Sequence, residues 1–431
     1  MNTSAKESAN ARQPGHPRRA VRVLCAGVPF GANNVGDEAI ITGVVRMIRS
    51  VAPDAMITVA TGEPEITQRA LKVLTCPPFG FLGVAASGSE VERVISEHDL
   101  FIWSGATGLS DYPDIPLGLM QSAQNQGKHT VVLCVGMNDQ LNPHLYQVRS
   151  RWRPTYDAIR QITGGLIDIA ARLEAGRKSR THARMREILP KADLVVVRDA
   201  ESEAALRRVG VQGDILVGSD AALGLIPASL EKISMPESIR KAMSATGSPR
   251  VGLCLSAQDA PKNLSAVVSV LDRLIADANA TIFGIPINPV TDSQLVREIR
   301  PLCKTPDRVF VLEGVIDPEE VAGALGKMDV IVSTRLHGLI LASLSDIPLV
   351  GITRGTKIDT FLRPFGLRPA GSFQNLDVAE LEQQIRQRLA QAAEFRKRAA
   401  VVRLERRQAL ETTRQRLKCL FDRIADEPGS R

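Results

Sequence analysis

Four short stretches carry side chains able to do chemistry, and each lies where an apolar run gives way to small or polar residues. The most informative reads Ser333-Thr334-Arg335-Leu336-His337-Gly338-Leu339-Ile340, with Pro348 and then Lys357 beyond the next apolar run. Polar groups at a strand-to-helix passage need partners, and a bound anion would supply them. A lone histidine in an apolar setting is usually structural, but Arg335 two residues before it and Lys357 past the neighbouring strand favour a site. The plainer alternative makes Lys357 a solvated loop residue and Arg335 a structural partner of Asp359 or of a backbone carbonyl.

A second stretch, Gly27 to Ile40, follows the first strand and contains Gly31, Asn33, Asn34, Gly36, Asp37 and Glu38. Glycines let the backbone turn sharply near a ligand, and the helix that follows presents free N–H groups. The spacing is neither GxGxxG nor a Walker loop with its lysine, which excludes those nucleotide sites. Asp37 and Glu38 could equally be first-turn acids that complement the helix dipole. In the third stretch, Ser104-Gly105-Ala106-Thr107-Gly108 makes a small-residue turn at a strand's carboxyl end, where open α/β sheets bind ligands, and runs on to Asp111. His98, before that strand, reads as a helix-end or surface residue. The fourth, Arg198-Asp199-Ala200-Glu201-Ser202, is followed later by Ser219-Asp220. Arg198 could grip a carboxylate or phosphate through parallel hydrogen bonds, or pair with Asp199 or Glu201 to fix the turn. No His/Asp/Glu cluster has ligand spacing and the six cysteines are scattered, so no metal and no disulfide framework is expected, and a reducing compartment fits.

The elements that must position these residues are short, β-branched runs alternating with helical patterns. Val21–Ala26, Met56–Thr61, Leu100–Ser104, Thr130–Gly136, Leu194–Arg198 and Asp214–Val217 read as buried parallel strands, with a helix over Glu38–Val51. A second series comprises Val251–Ser256, Ala280–Pro286, Val309–Leu312, Val330–Ser333 and Leu349–Ile352. For 431 residues this predicts an α/β protein of two Rossmann-like domains facing a cleft. The expected divisions are a disordered basic leader over 1–20, an N-terminal domain over 21–228, a linker over 229–249, a C-terminal domain over 250–376, and a long basic helix and tail over 377–431.

Charge is uneven. Residues 1–22 are net +4 and residues 381–431 net +6, which leaves −3 for 23–380 in a chain of net +7. A nucleic-acid enzyme concentrates base on the folded body, so nucleic acid is not an expected partner. Basic ends could touch anionic headgroups weakly. Arg18-Arg19 precedes an apolar stretch as in an export signal, but Arg22 interrupts it, and a strand fits better. No apolar run approaches the length of a membrane helix, and a cytoplasmic protein, open to peripheral contact with the inner face of the plasma membrane, is expected.

Taken in order, Asn34-Val35-Gly36-Asp37-Glu38-Ala39-Ile40, Val197–Ser202, Ser219-Asp220, Ser333–Ser343 and Lys357 resemble the polysaccharide pyruvyl transferase family, over roughly Val21 to Leu367. The family commonly has a run of glycines where this chain has Ser104–Gly108, and region 142–188 looks longer than its norm. The resemblance implies a fold like that of GT-B glycosyltransferases, phosphoenolpyruvate as co-substrate without another cofactor, and a sugar, polysaccharide or lipid-linked glycan as acceptor. The product would be a pyruvate ketal on an exopolysaccharide, cell-wall polymer or lipid-linked precursor. It also implies His337 as general acid, Arg335, Lys357 and Arg198 as donor ligands, and Asp37 as a residue that orients or deprotonates the acceptor. Asn34, Gly36, Glu38, Ser104 and Gly105 would line the cleft on the acceptor side. Two other readings compete: a GT-B glycosyltransferase using a nucleotide sugar, and a non-catalytic scaffold subunit of polysaccharide assembly. The first usually places a carboxylate where this chain has Arg335, His337 and Lys357; the second would leave those positions empty.

Overall fold

Apolar, β-branched runs too short for helices pair here as parallel strands, and the helices between them cover both faces. The computed structural model describes residues 19–149, 151–257, 264–353, 356–372 and 375–427. The first sheet contains β1 (Arg22–Phe30), β2 (Met56–Thr61), β3 (Leu74–Cys76), β4 (Leu100–Ser104), β5 (His129–Val135), β6 (Leu194–Val197) and β7 (Leu216–Val217), in the order β3-β2-β1-β4-β5-β6-β7. The second contains β8 (Arg250–Cys254), β9 (Thr281–Gly284), β10 (Val309–Val311), β11 (Val330–Ser333) and β12 (Leu349–Gly351), ordered β10-β9-β8-β11-β12. In each sheet the order reverses at its first strand, between β1 and β4 and between β8 and β11. Such a reversal opens a crevice at the carboxyl ends of the strands.

Differences from the sequence reading have local causes. β1 runs on to Phe30 because a register shift after Cys25 lets the chain continue alongside β2. Gly27 turns there at φ +88°, and a Cβ would come within 2.8 Å of the Trp103 ring. β3 was not expected, since its three residues are at most half-buried and form no apolar run. β7 keeps only the last two residues of Asp214–Val217.

The helix Val35–Val51 starts ahead of the expected Glu38 because the Asn34 side chain caps it, accepting from the Gly36 N–H at 3.2 Å. This helix belongs to both halves. Ile40, Ile41 and Val44 enter the core of the first sheet, whereas Val35 and Ala39 enter that of the second. Val35 N–H donates to the Ile287 carbonyl at 2.9 Å, and Arg46 pairs with Glu319. Leu230, Ile233, Ile239 and Met243, within 229–249, are buried in the second half's core.

The C-terminal stretch forms two helices, Val378–Ala390 and Ala392–Asp426, separated at Gln391. Leu381 and Ile385 pack on the second sheet. Along the longer helix, Phe395, Ala399 and Val402 pack on the second half and Leu417, Leu420, Phe421 and Ile424 on the first. It therefore straps the two halves together. Of the expected leader, residues 1–18 lie outside the described residues, as do 428–431 of the tail. Arg19 and Arg22 both pair with Asp99, at 2.8 and 3.1 Å.

Candidate functional site

A cavity of about 1000 Å³ opens between the two sheets at their carboxyl ends. Loops after β1, β4, β5 and β6 supply one wall, with Asn34, Asp37, Asp111, Tyr112, Asn138, Gln140 and Arg198. The passage after β11 and the helix after β12 supply the other, with Thr334, Arg335, His337 and Lys357.

His337 sits in the first turn of the helix Leu336–Ser343. Its Nε2 is buried 3.7 Å from Asp220 Oδ2, close enough for charge attraction but beyond a hydrogen bond. Its Nδ1 faces Gly36, where a Cβ would lie 2.4 Å away. Glycine at 36 is therefore what lets the first helix approach the imidazole. Burial would raise the Asp220 carboxyl, yet His337 and Arg198 beside it hold it below its ordinary value. Asp220 Oδ1 is fixed by the Ala222 N–H at 3.0 Å.

Arg335 is held by a carboxylate from its own half. Its Nε donates to Asp292 Oδ2 at 2.9 Å, and its Nη2 to Asp292 Oδ1 at 2.6 Å and to Thr291 Oγ1 at 3.3 Å. Asp292 is fully buried and also accepts from the backbone N–H groups of Ala257 and Asn288. Arg335 Nη1 has no protein partner among the described residues. Asp359, the partner anticipated for Arg335, pairs with Arg363 instead at 3.2 Å. It lies on the helix after β12, whereas Asp292 comes from the first turn of the helix after β9, Pro289–Leu302.

Lys357 Nζ reaches across the cavity to Asp111 Oδ2 at 2.8 Å, and Asn138 Nδ2 holds the other Asp111 oxygen at 3.2 Å. Arg198 is nearly buried, its Nε 3.2 Å from Asp199 and its Nη1 3.7 Å from Asp220. Glu201, the other carboxylate proposed for it, pairs with Arg363.

Asp37 Oδ2 accepts from Asn34 Nδ2 at 2.6 Å. Burial raises its carboxyl above the ordinary range, against the opposing pull of His337, Asn34, Lys357 and Arg335. A raised pKa makes a carboxylate the stronger base. Glu38, one residue on, turns away from the cavity, and its Oε1 accepts from the Gly31 N–H at 2.7 Å. Burial pushes it up to about 7.

The structure thus brings His337, Asp37, Arg335, Lys357, Arg198 and Asn34 onto one cavity, with Gly36 against the Nδ1 edge of His337. Glu38, Ser104 and Gly105 do not line it. Ser104 is fully buried. Gly105, at φ +70°, lets Ile40 of the first helix pack close, since a Cβ would fall 2.0 Å from its Cγ2. His98 is a buried helix-end residue, its Nδ1 2.6 Å from the Val94 carbonyl and its Nε2 2.8 Å from Thr58 Oγ1. The sequence reading missed Tyr112, Asp292 and the loop at Asn138–His144, and gave Asp220 and Asp111 no role. Tyr112 stays a neutral phenol, because burial, Asp37 and Asp111 all raise its pKa. Among the described residues, no group of three or more His, Cys, Asp or Glu is placed to hold a metal ion.

Two parallel-stranded halves around a cleft recur in solved structures. UDP-GlcNAc 2-epimerase from Neisseria meningitidis bound to UDP-GlcNAc is 12% identical, over 88% of this chain and 94% of that one, at a TM-score of 0.54. Anabaena HepE in complex with UDP-glucose is 12% identical over 93% and 99%, at 0.54. The glycotransferase of kitacinnamycin is 14% identical over 94% and 99%, at 0.52. At these identities the likeness concerns the fold alone, which is GT-B-like. No curated protein matches the chain in sequence. The polysaccharide pyruvyl transferase family model matches residues 34–356, from the asparagine that caps the first helix to the threonine before Lys357. By that match, this chain belongs to the polysaccharide pyruvyl transferase family, a family of transferases.

Proposed function

We propose that this transferase moves the pyruvyl unit of phosphoenolpyruvate onto two hydroxyls of one sugar, forming a ketal and releasing phosphate. The observation that carries this reading is the convergence of His337 with three cations on one cavity, Arg335 and Lys357 from its own wall and Arg198 from the wall that also holds Asp37, Tyr112 and Asn138. Phosphoenolpyruvate has a phosphate and a carboxylate, and charge-assisted hydrogen bonds from Arg and Lys suit both. Acids, amides and a phenol suit the hydroxyls of a sugar.

Protonated His337 gives its proton to the methylene carbon of the donor, which becomes a methyl group. With Nε2 buried against Asp220, the donating nitrogen is Nδ1. The adjacent carbon becomes oxocarbenium-like, and a first hydroxyl adds to it while Asp37 takes the hydroxyl proton. The bond to phosphate then breaks, and the second hydroxyl closes the ketal. Of the two hydroxyl protons, one restores the acid and one leaves on phosphate. Asp220 gives the imidazolium a counter-ion throughout, and Arg335, held rigidly by Asp292, offers its remaining edge to the departing anion. Positioned groups of this kind stabilise charge only where it develops.

Phosphoenolpyruvate places the reaction in the cytoplasm, and an exopolysaccharide, cell-wall polymer or lipid-linked precursor is the acceptor class. The test is purified protein with phosphoenolpyruvate and candidate lipid-linked or nucleotide-activated sugars. Phosphate release that depends on the acceptor, together with a ketal in the product, supports the reading. Phosphate release without acceptor, or sugar transfer from a nucleotide sugar, overturns it.

A further inference from the structure

Residues 142–188 join β5 to β6, and they differ from the rest of the body in charge and in what they expose. They carry ten Lys/Arg against four Asp/Glu, a net of +6. Residues 23–141 and 189–380 are together net −9, so the one strongly basic part of the body is this segment. Its helix Arg153–Ile162 buries no residue. In the helix Ile169–Ile188 only Ala170, Thr181, Met185 and Ile188 are buried, and Met185 and Ile188 join the core of the first sheet. The carboxyl half of that helix is thus the anchor, and its amino half carries the preceding helix outward.

The projecting hairpin is built, not frayed. Arg153 bonds Asp157 and Glu174, Glu174 accepts from the Val148 N–H at 3.0 Å, and Arg160 pairs with Asp168 at 3.2 Å. At the tip the chain reverses through Gly164 and Gly165, at φ 57° and 87°. On either side stand Ile162 and Leu166, 85% and 86% exposed. Ile167, Trp152 and Leu173 are exposed as well, and Arg151 stacks over the Trp152 ring at 5.4 Å. Arg149, Arg151, Arg172 and Arg180 are exposed on the same unit. Large aliphatic side chains at a tip, a tryptophan at the other end of the same helix and an excess of arginine are what a bilayer interface takes: apolar groups enter the headgroup region and cations meet lipid phosphates.

We propose that the hairpin within 142–188 docks this protein on an anionic lipid surface, with Ile162, Leu166 and Ile167 inserted and the arginines pairing with phosphates. The same segment begins at Asn142, Pro143 and His144, which line the cavity, so docking sets the cleft mouth beside the membrane. The basic C-terminal helix is the weaker candidate, because it spends Arg403 on Asp346, Arg416 on Asp214 and Arg423 on Asp193. Among the described residues no helix is long and apolar enough to cross a membrane, so the contact is peripheral.

The test is sedimentation of the full chain with vesicles of phosphatidylcholine alone and of phosphatidylcholine mixed with phosphatidylglycerol. Binding should require phosphatidylglycerol and weaken with salt. Ile162→Ser/Leu166→Ser should lower partitioning about tenfold or more, and Arg149→Gln or Arg151→Gln about fivefold each. Thermal melting should be unchanged, since these side chains pack on little. Lys397→Gln/Arg407→Gln in the C-terminal helix should leave binding intact. Unaltered binding by the Ile162/Leu166 variant, binding lost through Lys397/Arg407 instead, or no binding by the parent chain overturns the proposal. So does a hairpin that mediates self-association in light scattering while vesicles stay empty. No substrate is present in this assay, so its outcome is separate from that of ketal transfer.

Discussion

The two walls of the cleft are built alike but differ in charge. Both stand at the carboxyl ends of parallel strands, yet the C-terminal wall presents Arg335, His337 and Lys357, and the N-terminal wall presents Asp37, Asp111, Tyr112 and Asn138 together with Arg198. The cations also differ in how they are held. Arg335 is clamped by Asp292, a fully buried carboxylate of its own half, whereas the carboxylate at Lys357 belongs to the opposite wall. A clamped guanidinium gives direction, and a lysine paired across the gap gives a charge that an entering anion can compete for. On the proposed reaction, the C-terminal wall, with Arg198 across from it, would bind the donor, and Asp37, Tyr112 and Asn138 would meet the hydroxyls.

The largest effect expected is from His337→Ala, which should lower turnover about a hundred- to ten-thousand-fold, the usual range for a lost general acid, and leave the melting temperature little changed. A structural histidine would reverse that pattern, and measuring both on one preparation separates the two. Gly36→Ala approaches the same imidazole from the N-terminal wall. Alanine is better than glycine in a helix by about 0.5–1 kcal/mol, which offsets only part of the roughly 1–3 kcal/mol that overpacking costs, so stability should fall modestly. The new methyl would meet Nδ1 at 2.4 Å, and turnover should fall at least about tenfold, given the sensitivity of catalysis to misplacement. Full activity in Gly36→Ala would mean that the two walls need not approach at this point.

The side chains of this comparison were partly legible in the sequence. Arg335, His337, Asp37 and Arg198 stand out because polar residues interrupt apolar strand ends, and strand ends are readable from short β-branched runs. Their carboxylate partners were not legible, because pairing is a tertiary fact: Asp292 is 43 residues from Arg335, and Asp111 is 246 residues from Lys357. The first helix misled for the same reason. Glu38 belongs to the same motif as Asp37, but only the backbone turn at Gly31 shows that it serves the loop. Residues 142–188 stood out only for their length, because their charge was averaged with the acidic remainder of the body.

Lys357 is the cleaner probe of the donor wall. Truncating Arg335 would strand the buried Asp292 charge at a loss of about 3–5 kcal/mol, so stability and function would fall together. Lys357→Ala should raise the Michaelis constant for phosphoenolpyruvate about ten- to hundredfold, the weight of a charge-assisted hydrogen bond, and that of the sugar far less. Asp111→Asn should act with the opposite sign and lower the donor constant severalfold, because it removes the competing carboxylate. If the pair only ties the halves together, both variants should lose stability to a similar degree and leave the donor constant alone.

The smallest effect separates the two neighbouring acids of the N-terminal wall. Glu38 is raised to about 7 by burial, well above the ordinary glutamate value of about 4.3. The folded chain therefore binds more protons at this site than the unfolded chain between those two values. Stability from this group is greatest at the acidic end and declines as pH rises through the window, the reverse of a salt-bridged carboxylate. Glu38→Gln keeps an oxygen to accept from the Gly31 N–H but cannot ionise. Melting temperatures taken from pH 5 to pH 7.5 should accordingly show a flatter decline in Glu38→Gln than in the parent chain, with the difference largest at the upper end. Turnover at a fixed pH should change little, since Glu38 does not line the cavity. A large loss of turnover without a change in the pH slope would move Glu38 into the chemistry beside Asp37.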